Sequence, residues 1–109
     1  MNIMQQTDAL IEAIKTSNEF AQYHLLQNAI MKEDVYNRLN DFRRRSFEIQ
    51  MNSQVDVMDS SANLYQEYAD ILNRTEVKEF LNAEQRFIRM LRRIHQEIDK
   101  HANVNVDFL

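Results

Sequence analysis

The sequence predicts an all-α chain: an antiparallel bundle of four to five helices ending in a long C-terminal helix. Three observations predict it. Apolar residues recur at spacings of three and four, and helix is the only sustained periodic signal. The 109 residues contain no Gly and no Pro, where average usage gives about eight and about five. Turns must therefore be made by Asn, Ser, Thr and Asp, and such residues stand between the periodic stretches.

The elements follow in order. Thr7 or Asp8 can cap a first helix that presents Leu10, Ile11 and Ile14. Thr16 and Glu19 have the spacing of a capping box, opening a segment that presents Phe20, Tyr23, Leu26 and Ile30. The sequence leaves open whether these are two helices or one kinked at Thr16–Asn18. The next begins near Glu33–Asp34 and presents Val35, Leu39, Phe42, Ser46 and Ile49. Asn52–Asp59 reads as a loop, polar and without a sustained helical face. Ser60 or Ser61 can cap a helix presenting Leu64, Tyr68, Ile71 and Leu72. Asn73–Thr75 is the following turn, with Asn in the role Gly fills at many helix C-caps.

The last helix carries the clearest signal. Val77, Phe80, Glu84, Phe87, Leu91, Ile94 and Ile98 form an a/d heptad seam, widened by Leu81, Ile88 and His95. Thr75 is the expected N-cap, and the helix is expected from about 76 to about 100. The tail from Ala102 alternates Asn and Val, as a short extended segment or a frayed end. Length predicts one domain over residues 1–109, burying roughly two-thirds of its unfolded surface.

Composition removes whole classes of function. Without Gly there is no Gly-rich phosphate loop and no Gly-x-Ser-x-Gly nucleophile elbow. Without Cys there is no disulfide, thiolate nucleophile, Cys-based zinc site or Cys-ligated iron–sulfur cluster. The N-terminal residues have neither the basic nor the apolar region of a secretory leader, and no stretch is apolar enough to span a membrane. The sequon Asn73-Arg74-Thr75 is read as accidental on that ground.

Few constellations could carry chemistry. His24, His95 and His101 stand in neither Glu-x-x-His nor His-Glu-x-x-His, and no metal, cofactor or catalytic residue is assigned. Asp56 to Glu67 has the length of an EF-hand loop, but Met58 replaces a ligand and Ser61 stands where Gly is needed. Glu84 occupies an a position in an apolar seam. A carboxylate there must reach the surface, pair with an Arg such as Arg38, Arg43 or Arg45, or serve as a catalytic acid.

Charge is segregated along the chain, whose net charge is −4. Basic blocks at 35–51 and 86–100 alternate with acidic ones, as self-complementary packing within a subunit or across a dimer would require. Arg43, Arg44 and Arg45 fan across most of a helical turn. Arg86, Arg89 and Arg93 share the face opposite the apolar seam, with Arg92 adjacent. Both sets are candidates for a partner or RNA surface, beside the alternative of a solvated or pairing face. Aromatic interleaving of the base-stacking kind is missing from them.

Several stretches together resemble a known family. Ser17-Asn18-Glu19-Phe20-Ala21-Gln22-Tyr23 is followed by Leu39-Asn40-Asp41-Phe42. Then comes Val77-Lys78-Glu79-Phe80-Leu81-Asn82-Ala83-Glu84-Gln85-Arg86-Phe87, with Ile94 and Ile98 closing the last helix. The chain resembles the YlbF/YmcA family of small helical bacterial proteins, including its YheA-like branch, from about residue 5 to about residue 100. Phe80, Leu81, Ala83 and Glu84 lie in the sharpest element. The resemblance implies a cytoplasmic, self-associating helical bundle without enzymatic activity. It further implies a regulator of competence, sporulation and biofilm formation in a complex that engages ribonuclease Y and influences RNA maturation. That complex is associated with Cys-ligated iron–sulfur clusters. This chain departs there, because a sequence without Cys supplies no such ligand. The readings carried forward are a protein–protein adaptor with a homo-oligomer seam at Val77, Phe80, Phe87, Leu91, Ile94 and Ile98, and alternatively an RNA-binding module on the Arg faces.

Overall fold

The computed structural model describes residues 2–32, 34–52, 54 and 56–102. Every regular element among them is helical. The described residues form six helices: α1 (Ile3–Lys15), α2 (Asn18–Met31), α3 (Val35–Met51), α4 (Val57–Glu67), α5 (Ala69–Leu72) and α6 (Thr75–Ala102). The all-α class stands, and the count exceeds the four to five helices expected. The tail after Ala102, Glu33, and Ser53 and Val55 of the expected loop lie outside the described residues.

The helix boundaries are made without Gly. α1 opens earlier than Thr7, because Asn2 and Gln5 form a reciprocal capping box. The Gln5 N–H donates to Asn2 Oδ1 at 2.8 Å, and the Asn2 N–H donates to Gln5 Oε1 at 3.0 Å. Thr7 is an interior residue, its hydroxyl donating to the Ile3 carbonyl. The question at Thr16–Asn18 resolves as two helices. Thr16 ends α1, with its N–H donating to Glu12 O at 3.0 Å. Ser17 joins the two: its hydroxyl donates to Ile14 O at 2.6 Å and accepts the Phe20 N–H at 3.2 Å. Ser17, rather than Thr16, therefore caps α2.

α3 begins after Asp34, which sits at φ 62° and ψ 6°, the one non-Gly residue with positive φ among those described. A short polar side chain tolerates that left-handed conformation at a cost of roughly 1–2 kcal/mol. Asn73, given the Gly-like role by the sequence, stays right-handed at φ −91°.

α4 starts at Val57, capped by Asp56, whose carboxylate accepts the Asp59 N–H at 3.1 Å. Its first turn escapes the periodic reading because Val57 and Met58 are exposed there. Ser60 and Ser61 are inside the helix. The expected fourth helix divides at Tyr68, whose φ of −107° and ψ of 12° end α4 and open α5. α6 matches its expected span to within two residues at each end, with Thr75 as its first residue instead of its cap.

The chain forms two compact units. One comprises Leu25–Phe80, and the other the described residues within 1–24 and 81–109. Within Leu25–Phe80, Ile30, Val35, Leu39, Leu64, Tyr68, Ile71, Leu72, Val77 and Phe80 are all buried. Burial of each aliphatic or aromatic side chain of this size contributes about 1.5–3 kcal/mol. Tyr36 meets Phe80 edge-on, with ring centroids 6.0 Å apart, and its hydroxyl accepts from Gln27 Nε2 at 2.9 Å.

In the second unit, Phe87 is half-buried among aromatics. It meets Phe20 edge-on at 5.6 Å and stacks on Tyr23 at 5.2 Å, while His24 stacks on Phe20. α1 contributes no buried residue. Ile3, Leu10 and Ile11 are exposed, as is Ile98 on α6.

Candidate interaction surfaces

The two Arg groups read from the sequence stand in different surroundings. On α3, the residues at 38, 41 and 45 share one helix face, and Glu67, Tyr68 and Asp70 meet that face from the α4–α5 break. Arg38 makes a bidentate pair with Asp70, at 2.5 and 3.1 Å. Arg45 donates to Glu67 at 2.8 Å and to the Tyr68 hydroxyl at 3.2 Å. The Tyr68 hydroxyl in turn donates to Asp41 Oδ2 at 2.6 Å. Arg44 pairs along its own helix with Asp41 and with Glu48, the latter at 3.1 Å. Arg38 and Arg45 also lie 5.4 and 5.6 Å from the Tyr68 ring centre, and Arg43 lies 5.7 Å from that of Phe80.

This network sets the electrostatics of the α3 face. The Tyr68 hydroxyl, and then Arg44, hold the Asp41 carboxyl below its ordinary range. Arg38 does the same for Asp70. The α3 arginines are thus occupied by carboxylates and aromatic faces of their own unit. The sequence does not mark Tyr68, Asp41, Glu67 and Asp70 as polar partners of these arginines. The signal was the charged spacing at 38, 41 and 45, but the matching acids stand more than twenty residues away.

The α6 arginines differ. Arg86, Arg89 and Arg93 are exposed, and among the described residues none makes an ion pair. Arg89 donates only to the Gln85 carbonyl, at 3.4 Å. With Glu19 and Met90 they line an open groove of about 400 Å³. Glu19 comes from the first turn of α2, so the arginines border a groove instead of a bare outer face.

The remaining residues distribute by burial. Of the motif, Phe80 and Ala83 are buried and Leu81 and Glu84 half-buried. Glu84 is engaged, not an isolated charge, while Arg38 and Arg45 are taken up by Asp70 and Glu67. Of the seam, Val77 and Phe80 are fully buried, Phe87, Leu91 and Ile94 half-buried, and Ile98 exposed. His101 lies 3.4 Å from Glu97 across one helical turn. Among the described residues no three His, Asp or Glu side chains converge as metal ligands would, and no helix is long and apolar enough to cross a membrane.

A family model described as control of competence regulator ComK, YlbF/YmcA, matches residues 3–102. The chain belongs to the YlbF/YmcA family. The match spans all six described helices and includes the Phe80-to-Glu84 stretch. No curated protein and no solved structure matches the chain.

Proposed function

We propose that this chain is a non-enzymatic regulatory adaptor in the control of competence. It acts by protein–protein contact, in the cytoplasm, as a single YlbF/YmcA-like domain that self-associates as a dimer or higher oligomer. The observation that carries this reading is the family match over residues 3–102. Its support in the molecule is the exposed apolar surface of α1 and the end of α6, with Ile3 81% and Ile98 47% exposed. Apolar side chains repeated along two amphipathic helices and left in water favour association. In this reading Val77, Phe80 and Phe87 pack within the chain's own units, and Leu91, Ile94 and Ile98 are the part of the seam that a second copy meets. Ribonuclease Y, or a complex around it, is the proposed protein partner, on the family resemblance.

Three measurements test the proposal. Deletion of the gene in the native host is expected to lower ComK-dependent transformation, and co-purification with the tagged chain is expected to recover a specific protein partner. Unchanged transformation with no co-purifying protein overturns the adaptor. Sedimentation showing a monomer at micromolar concentration overturns the self-association.

A further inference from the structure

We propose that the groove lined by Glu19, Arg86, Arg89, Met90 and Arg93 docks an acidic helical segment of a different protein. The proposal rests on the adaptor reading and names the chemistry of its partner. Arg86, Arg89 and Arg93 are exposed and make no ion pair among the described residues, whereas Arg38, Arg44 and Arg45 each meet a carboxylate of this chain. Three guanidiniums within about 10 Å of helix repel one another until counter-charge arrives. Their spacing of three and four residues matches carboxylates one turn apart on a facing helix, and guanidinium forks take carboxylates two bonds at a time.

The rest of the lining selects the kind of anion. Met90 is half-buried between the arginines and offers an adaptable apolar contact for a side chain between the acids. Glu19 makes no ion pair among the described residues. Its carboxylate opposes a continuous phosphate backbone but accepts a Lys or amide donor interleaved with a peptide's acids. Single-stranded RNA also wants exposed aromatic faces. Here Phe20, Tyr23 and Phe87 are half-buried and spend their faces and edges on one another or on His24.

A second copy does not supply the match. Nowhere in this sequence do three carboxylates follow one another at spacings of three or four. The occupant is therefore a different chain that carries such a row.

The test is fluorescence anisotropy at fixed salt with the full chain. The probe is a labelled synthetic helical peptide bearing Glu at three one-turn positions around a Leu. The peptide with Gln at those positions, and an oligouridylate of equal charge, are compared. The Glu peptide is expected to bind about tenfold or more tightly than either. Arg89→Glu with Arg93→Glu is expected to remove that binding while helix content stays unchanged. Arg89→Gln with Arg93→Gln is expected to weaken it by a smaller factor. Equal binding of the Gln peptide, tighter binding of the oligouridylate, or Glu-peptide binding that survives both double variants overturns the proposal. So does a loss of self-association in those variants, which would make the groove a contact between copies. Co-purification from the host judges the adaptor separately, since partners can remain bound when the groove is reversed.

Discussion

Leu25–Phe80 and the remainder of the chain solve opposite problems with the same residue types. In Leu25–Phe80 the apolar stripes of α3, α4 and α5 are buried, as are Val77 and Phe80, and each α3 arginine meets a carboxylate or an aromatic face. In the other unit, α1 buries nothing fully, the large apolar residues of α6 range from half-buried to exposed, and three arginines share a groove with one acid. Helical amphipathicity alone therefore does not say which face is core. The difference separates a region whose apolar stripes are buried from one that leaves apolar and cationic side chains exposed.

That contrast can be broken by substitution. The largest effect is expected at Phe80, whose exposure is 0%. Phe80→Ala should lower the unfolding free energy by about 3–5 kcal/mol in urea denaturation. A loss below about 1 kcal/mol would remove the claim that Leu25–Phe80 holds the stable core. The like-for-like pair Leu39→Ala and Leu10→Ala sharpens it. Leu39 is 1% exposed and Leu10 41%. The first should cost about 2–5 kcal/mol and the second within about 0.5 kcal/mol at concentrations where the chain is monomeric. Equal losses would erase the distinction.

A smaller effect is expected at the junction of α1 and α2. Ser17→Ala removes the acceptor of the Phe20 N–H and should cost about 1 kcal/mol, read as a shifted urea midpoint with unchanged slope.

The smallest is a dependence on pH. Asp41 and Asp70 are held below the ordinary carboxylate range in the folded chain. Their ionised forms stabilise the fold above that range, and the contribution is lost as pH falls through the depressed values. Thermal midpoints should therefore decline below about pH 4, and less steeply in Asp41→Asn with Asp70→Asn. Identical slopes in parent and variant would show that the α3 pairs do not contribute.

Much of the architecture is legible in the residues. The a/d seam from Val77 to Ile98 marks α6 almost to its ends, because a long amphipathic helix repeats its signal over several turns. The shorter starts are harder. Asn2, Ser17 and Asp56 cap their helices through bonds that Thr7, Thr16 and Ser60 could have made equally well by residue type. The break at Tyr68 is invisible to periodicity, since Leu64, Tyr68, Ile71 and Leu72 keep helical spacing across it.

The residues alone establish the helical class, the family resemblance and the exclusion of Gly-loop and Cys chemistry, because these depend on composition and on the order and spacing of residues along the chain. Which arginines are spent and which stay open depended on the tertiary structure. Asp70 lies thirty-two residues from Arg38, and Glu67 twenty-two from Arg45. Pairing at such separations is set by how α3 packs against α4 and α5. The same folding buries the Val77 and Phe80 end of the α6 stripe and leaves Ile98 exposed, a difference that the uniform heptad spacing does not encode.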